Sequence, residues 1–232
     1  MIRSLARRCF LTANTLRYRI EFRIVAELVS QIPGGKLGSK VLDAGAGSGE
    51  MSLRLMRAGL CDALIGVEPM EANFRLLRQN YAGKAHCAVH QADLASIPVA
   101  SGSVDAVIST QVFEHIEDDQ AAAAEVARVI RSGGYALIST PHPPEVFPND
   151  GHVRPGYTVE EMAALFAPVG LQLLDHRLFF TLPTLQRLMR ALHLGAIGRL
   201  APIGWADCEK GLSQAEIAAQ QPYGIACLFQ KI

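Results

Sequence analysis

The stretch VLDAGAGSG, residues 41–49, joins an apolar run to three closely spaced glycines. The apolar run predicts a buried strand, and the periodicity from Met51 to Ala58 predicts a helix directly after the glycines. Glycines between a strand and a helix permit a tight turn in which backbone N–H groups approach a ligand without interference from a Cβ atom. This stretch therefore predicts a ligand-binding strand–turn–helix unit of an α/β protein.

The alternation of strand and helix continues along the chain. Further strands are predicted at 63–68, 85–90, 104–109, 135–140, 170–180 and 223–231, and further helices at 71–81, 119–131, 158–167 and 183–193. Continuous apolar strands that alternate with helices are typical of a parallel sheet covered on both faces. We predict one domain over residues 1–232, with a helical cap at 1–36, a ligand-binding core at 40–180 and a helical insertion at 182–221.

Composition limits the classes of protein to which the chain can belong. Half of its 232 residues are apolar, 19% are charged, and 22 basic side chains balance 22 acidic ones. Such a chain buries a core instead of staying disordered, and it has no apolar run of the ~18 residues that span a membrane. It also lacks the basic excess of most nucleic-acid-binding proteins. Five scattered cysteines predict reduced thiols and a cytoplasmic location.

The charge is distributed unevenly. Residues 1–23 carry six arginines and one acid, whereas the remaining chain carries 16 basic and 21 acidic side chains. Apolar residues recur at helical spacing (Leu16, Ile20 and Ile24), so we predict an amphipathic helix that packs on the domain. An Arg-rich transit peptide is the alternative interpretation.

The flanks of the glycine turn indicate which nucleoside it binds. A dinucleotide fingerprint that starts at Gly45 requires glycine at its sixth position, where this chain has Glu50. Acids at Asp43 and Glu50 would repel a pyrophosphate, and the Walker pattern is absent. A cationic nucleoside such as S-adenosylmethionine, with its ammonium and sulfonium groups, suits this turn better.

Five segments in order resemble the motifs of class I S-adenosylmethionine-dependent methyltransferases. They are VLDAGAGSG at 41–49, IGVEPM at 65–70, QADLASIP at 91–98, SVDAVI with VFEH at 103–108 and 112–115, and VIRSGG at 129–134, in which Ser132 replaces the usual proline. The resemblance covers residues 40 to 180. It is strongest to the small-molecule branch (type 11) that includes methyltransferases of quinone biosynthesis.

The resemblance implies a fold, a cofactor and a binding site. The fold is a Rossmann-like, seven-stranded, mostly parallel sheet with helices on both faces and an antiparallel last strand. The cofactor is S-adenosyl-L-methionine: Glu68 would bind the ribose hydroxyls, Asp93 the adenine amino group and Asp43 the ammonium group. The complete predicted set is Asp43, Gly45, Ala46, Gly47, Gly49, Glu68, Pro69, Asp93, Leu94, Gln111 and Val112.

The resemblance also implies methyl transfer to an O, C or N atom of a small organic acceptor. A base is required only if the nucleophile must lose a proton. His115, His142 and His152 are candidates because they follow predicted strands, as does Asp150; each histidine is equally well explained as a hydrogen-bonding residue of a loop. Some methyltransferases of RNA ends and quinone precursors bind a divalent metal through Glu-x-x-Glu-His. Gln111 replaces the first Glu here, so we predict no metal.

Several alternatives stay open. The helix at 183–193 is basic outside its apolar face, so it either closes over the site or contacts a membrane surface peripherally. The protein either methylates RNA or a lipid-linked substrate, or binds the cofactor without turnover. A DNA amino-methyltransferase is not expected, because residues 109–112 read STQV, without the tetrad that such enzymes share. Acceptor contacts are expected from the N-terminal helix and from 141–157 and 182–221. The oligomeric state is not predicted.

Overall fold

The computed structural model describes residues 10–144, 151–193 and 200–232. Its strands are β1 (Phe10–Thr12), β2 (Gly38–Ala44), β3 (Cys61–Val67), β4 (Cys87–His90), β5 (Val104–Thr110), β6 (Ile130–Pro141), β7 (Leu171–Thr181), β8 (Leu200–Pro202) and β9 (Pro222–Lys231). Its α-helices are α1 (Ala13–Val29), α2 (Glu50–Arg57), α3 (Glu71–Tyr81), α4 (Asp119–Val129), α5 (Val159–Phe166), α6 (Leu182–His193) and α7 (Gln214–Ala218).

Seven strands form one sheet in the order β4-β3-β2-β5-β6-β9-β7. The first five strands in this order, β4, β3, β2, β5 and β6, run parallel, whereas β9 is antiparallel to both β6 and β7. The predicted Rossmann-like sheet with an antiparallel last strand is therefore confirmed. The chain order reverses at β2 and β5, and ligands of open α/β sheets bind beside such a switch point, at the carboxyl ends of the strands.

Helices cover both faces of the sheet, because alternate residues of the central strands enter opposite cores. Val41 of β2 packs in a core with α1, α2 and α6, whereas the next residue, Leu42, packs in a core with α4 and α5. Helix α1 buries one apolar face, which includes Leu16 and Ile20, as its helical spacing predicts. Within the described residues, no helix is both long and apolar enough to cross a bilayer.

The helix predicted at 119–131 is two residues shorter in the structure, and that prediction is wrong at its C-terminal end. Ile130 already belongs to β6, where it pairs with Val104. The two glycines that were expected to separate helix from strand lie inside β6 instead. Gly133 adopts φ 73°, and a Cβ on Gly134 would lie 2.5 Å from the carbonyl oxygen of Asp105, so both positions accommodate an irregular strand pairing.

Candidate functional site

A cavity of about 810 Å³ opens at the carboxyl ends of β2, β3 and β5. It is lined by nine of the eleven residues predicted to bind the cofactor: Gly45, Ala46, Gly47, Glu68, Pro69, Asp93, Leu94, Gln111 and Val112. The lining also includes residues that the sequence motifs did not identify, among them Arg17, Tyr18, Phe180, Leu185, Leu188 and Tyr223. These come from α1, from the end of β7, from α6 and from β9.

The glycine turn lets two loops approach each other at the switch point. Gly45 has φ 76°, and a Cβ at this position would lie 2.5 Å from Cγ2 of Val112 in the loop after β5. A side chain here would push that loop away and would also strain the backbone. The turn after β2 and the loop after β5 therefore form one continuous wall of the cavity.

Glu68 follows β3 and lines the cavity at the predicted ribose site. Its side chain is 4% exposed; Oε2 accepts a hydrogen bond from the Gly47 N–H at 2.8 Å, and Oε1 accepts one from the Met70 N–H at 3.0 Å. Oε1 also accepts a longer hydrogen bond from the Asn73 amide at 3.5 Å. A carboxylate oxygen has two lone-pair positions, so Oε2, with one donor, retains acceptor capacity for a ligand hydroxyl. Glu68 therefore fixes the glycine turn and presents an acceptor to the cavity at the same time.

Asp93 caps a short helix and also lines the cavity. Its Oδ1 accepts a hydrogen bond from the Ala95 N–H at 2.8 Å and so caps a short 3-10 helix, Leu94–Ser96. The side chain is nevertheless exposed at the cavity wall. The cap orients the carboxyl group, and the residue still lines the end of the cavity where an adenine amino group is expected.

Two residues of the predicted set lie behind the cavity wall. Gly49 begins α2 with φ 77°, and a Cβ there would lie 2.6 Å from the Tyr81 ring, so this glycine serves helix packing. Asp43 is 2% exposed at the end of β2, and its Oδ2 has no hydrogen-bond partner in the structure. Burial raises the pKa of Asp43 to about 7, a nearby Ser52 hydroxyl lowers it, and the charge of Glu68 raises it further.

Gln111 links the cavity to a buried carboxyl group of α1. The residue adopts φ 57°, and its N–H donates to the Ser139 carbonyl oxygen at 2.8 Å. The Ser139 hydroxyl in turn donates to Oε1 of the fully buried Glu21 at 2.6 Å. Burial raises the pKa of Glu21, whereas the charge of Arg17 and the Gln111 amide lower it. The sequence analysis missed Glu21 because an acid on the apolar face of a helix carries no motif.

Two of the three candidate histidines meet in the cavity wall. The ring centroids of His115 and His152 lie 4.8 Å apart, and Nδ1 of His115 lies 2.7 Å from the Gly151 carbonyl oxygen. Because a carbonyl oxygen only accepts hydrogen bonds, Nδ1 is the donor of this contact, and in the neutral ring the lone pair is on Nε2. The buried Glu114 carboxylate lies 4.0 Å from that Nε2.

The third histidine does not join them. His142 is outside the set of residues that line the cavity, and its half-buried ring has its pKa lowered by desolvation. Asp150 lies outside the described residues. The structure thus brings His115 and His152 together in the cavity wall, and it places His142 outside that wall.

Glu114, His115 and His152 form a group that could hold a metal ion, although the sequence analysis predicted none. One ligand atom from each lies within 4.8 Å of the others. One carboxylate and two imidazoles suit a divalent transition metal more than Mg²⁺, which prefers oxygen ligands. The loop that carries His152 is anchored by Arg154, which binds Asp119 and the Ile116 carbonyl oxygen, so the arrangement does not depend on an ion.

Helix α6, residues 182–193, lines the cavity with its apolar face. Leu185 and Leu188 of α6 are buried and line the cavity, while Arg187 and Arg190 are exposed. The preceding turn is held by the buried Glu209, which accepts hydrogen bonds from the N–H groups of Phe180 and Thr181. The apolar face of α6 thus points into the cavity.

The seven-stranded sheet is the fold of solved S-adenosylmethionine-dependent methyltransferases. Residues 42–138 match the family described as "Methyltransferase domain". Over this segment the chain is similar to S-adenosylmethionine-dependent methyltransferases. The buried carboxylate of Glu68 and the glycine cradle beside it fit that cofactor.

Known proteins support the assignment. A probable S-adenosylmethionine-dependent methyltransferase of Mycolicibacterium smegmatis is 31% identical over 159 residues, 60% of either chain. One from Mycobacterium tuberculosis is 33% identical over 135 residues, 56% of this chain and 47% of that protein. The match thus spans 60% or less of these relatives' length.

Solved structures share the fold at low sequence identity. An S-adenosylmethionine-dependent methyltransferase of Mesorhizobium loti has a TM-score of 0.61 at 15% identity, covering 88% of this chain and 96% of that one. The [4+2]-cyclase SpnF has a TM-score of 0.61 at 20% identity, covering 89% and 80%. At this identity the likeness shows the fold alone.

The raised pKa of Asp43 predicts a pH-dependent cost of folding. The folded protein keeps this proton up to about pH 7, whereas the unfolded chain releases it near the ordinary pKa of 3.8, so the stability contribution falls as pH rises from about 4 to about 7. Asp43→Asn removes this loss. We expect the ligand-free variant to melt about 3–6 °C above the wild type at pH 8 and close to it at pH 4.5.

The exposed Asp62, near the opposite end of β3, provides a matched control, because Asp62→Asn removes a carboxylate without changing a buried group. Its melting temperature should follow that of the wild type at both pH values. An Asp43→Asn advantage that is equal at pH 4.5 and pH 8 would contradict the burial of an ionisable carboxyl group.

Proposed function

We propose that this protein transfers the methyl group of S-adenosylmethionine to an O, C or N nucleophile of a small, largely apolar organic acceptor. The observation that carries the proposal is that one cavity has two kinds of lining. Glu68, Asp93 and the glycine turn line it where we place the cofactor, and aromatic and aliphatic side chains such as Tyr18, Phe180 and Leu185 line it where we place the acceptor, which we call the acceptor end. Pockets of this size and lining suit small molecules.

When bound, the cofactor supplies an activated methyl group on a sulfonium centre. The chain's own residues would hold its ribose at Glu68 and its adenine at Asp93, and would exclude water beneath α6. Positioning two reactants in this way accounts for much of the rate of such reactions, up to ~7–11 kcal/mol in the best cases. We propose His115 as the group that accepts a proton from an acceptor O–H or N–H, because its Nε2 holds a lone pair and the Glu114 carboxylate lies 4.0 Å from it.

An experiment with labelled cofactor tests the proposal. The protein is incubated with methyl-labelled S-adenosylmethionine and, separately, with phenols, aromatic amines, small carboxylic acids and total RNA. Transfer of label to a small molecule is the expected result. Transfer to RNA alone would overturn the small-acceptor proposal, and cofactor binding without transfer to any acceptor would favour a binding protein. A cytoplasmic location, for which the free cysteines give support, remains part of the proposal.

The group of Glu114, His115 and His152 favours a second candidate role, a divalent metal that binds the acceptor oxygen. The two roles exclude each other at His115, since a metal would occupy the Nε2 lone pair. Addition of Mn²⁺ to protein treated with a chelator, followed by calorimetry, separates them. Binding that Glu114→Gln abolishes would support the metal. Unchanged transfer activity in the presence of chelator, without Mn²⁺ binding, would support proton acceptance by His115 alone.

A further inference from the structure

Arg17 faces the cavity from the helix α1. Its side chain is half-buried, and its guanidinium carbon lies 5.1 Å from the centroid of the Tyr18 ring, a cation–π distance. Both residues line the acceptor end of the cavity. Among the described residues that line it, Arg17 is the only arginine or lysine, so any anionic group of a ligand has a single strong cation available there.

Within the described part of the chain, Arg17 makes neither an ion pair nor a hydrogen bond. Two other half-buried arginines are partnered: Arg23 of α1 pairs with Glu27 at 3.9 Å and Arg54 of α2 with Glu50 at 2.6 Å. The acid one turn beyond Arg17 is Glu21, whose pKa the Arg17 charge lowers, but the Glu21 carboxyl group is fully buried and bonded to Ser139. A half-buried guanidinium that lines a cavity and makes no ion pair with a described residue is suited to an anion brought by the ligand.

The other charges of the cavity define that anion further. Five carboxylates line the same cavity: Glu68, Asp93, Glu114, Glu117 and Asp118. A phosphate dianion would be repelled by these charges, whereas a single carboxylate matches the planar fork of one guanidinium with two parallel hydrogen bonds. The stacking of Arg17 on Tyr18 orients that fork and limits the entropy lost on binding.

We infer that Arg17 is a carboxylate-binding residue at the end of the cavity covered by α1 and α6. This inference rests on the proposed function. It identifies the ligand group as a carboxylate, which two different molecules could carry. The carboxylate belongs either to the amino-acid end of the cofactor or to the methyl acceptor, and the two sources respond differently to truncation of the cofactor.

The first arm compares two ligands by calorimetry. S-adenosylhomocysteine carries the amino-acid end, and 5′-methylthioadenosine lacks it. If Arg17 binds the cofactor carboxylate, Arg17→Gln weakens S-adenosylhomocysteine binding about tenfold or more and leaves 5′-methylthioadenosine binding unchanged. Arg17→Lys keeps the charge but loses the fork, and should fall between the two. Arg19→Gln, an exposed arginine on the same helix, is the matched control and should change neither affinity.

The second arm tests the acceptor as source. Benzoate and benzamide are titrated into protein saturated with S-adenosylhomocysteine. If Arg17 binds an acceptor carboxylate, the wild type binds benzoate about tenfold more tightly than Arg17→Gln does, and benzamide binds both alike. Equal weakening of both nucleosides in Arg17→Gln would indicate a structural role and overturn the inference. So would the absence of any Arg17 dependence in both arms. A wild type that binds neither nucleoside would contradict the proposed function instead.

Discussion

His115→Asn should lower kcat by about 100-fold or more and leave the affinity for S-adenosylhomocysteine unchanged, if the acceptor loses a proton during transfer. The asparagine amide nitrogen lies near the position of Nδ1 and can still donate to the Gly151 carbonyl oxygen, so the loop after β6 keeps its contact. What disappears is the Nε2 lone pair beside the Glu114 carboxylate. The measurement is single-turnover transfer of labelled methyl to the acceptor found in the screen.

The matched control is His142→Asn, which removes the third predicted histidine from a position outside the cavity wall. We expect kcat to stay within about threefold of the wild type, once equal folding has been verified by thermal melting. A kcat of His115→Asn that equals the wild-type value would remove His115 from the reaction. A loss in His142→Asn alone would place the base elsewhere than the structure indicates.

Glu68→Ala should weaken the binding of S-adenosylhomocysteine by about 100-fold, the second large effect. Two hydrogen bonds from the ribose hydroxyls to a carboxylate are lost, each worth about 1.5–3 kcal/mol, and part of this is offset by water. The N–H groups of Gly47 and Met70 lose their acceptor as well, so the glycine turn is less well ordered before binding. Calorimetry with S-adenosylhomocysteine measures the change directly.

Glu71→Ala is the control for this substitution. Glu71 begins α3 three residues later, is exposed, and pairs with Arg75 across the helix surface. Its removal should change the affinity less than twofold. An affinity of Glu68→Ala that matches the wild type would contradict the ribose assignment and leave Glu68 as a residue that only braces the turn.

Much of the fold could be predicted from the sequence, because local patterns carry it. The strand before the glycine turn, the helix at 71–81 and the helix predicted at 158–167 all appear in the structure, since apolar periodicity, glycine and capping residues act within a few residues of one another. The end of α4 was misplaced because Ile130 is recruited by pairing with Val104 on a distant strand, and local propensity contains no record of such a partner.

The candidate site, like the fold, could be predicted only in part from local sequence. Glu68, Asp93, Gly45 and Gly47 belong to motifs, so it could be predicted that they line the cavity. Asp43 and Gly49 stand in the same motif, yet the structure places both behind the wall. The reason is that a motif records which residues occur together, whereas the direction of a side chain depends on the neighbouring helices, here α2 and α3.

The sequence by itself determined the α/β alternation, the cofactor and the position of its binding turn, because these depend on short, contiguous segments. Only the tertiary structure decided which histidines meet, that Glu21 is buried against Ser139, and that Arg17 lines the cavity without an ion pair to a described residue. These relations join residues separated by tens to more than a hundred positions. They arise when the sheet brings α1 and the loops after β5 and β6 to one edge, and no local pattern of the chain encodes that meeting.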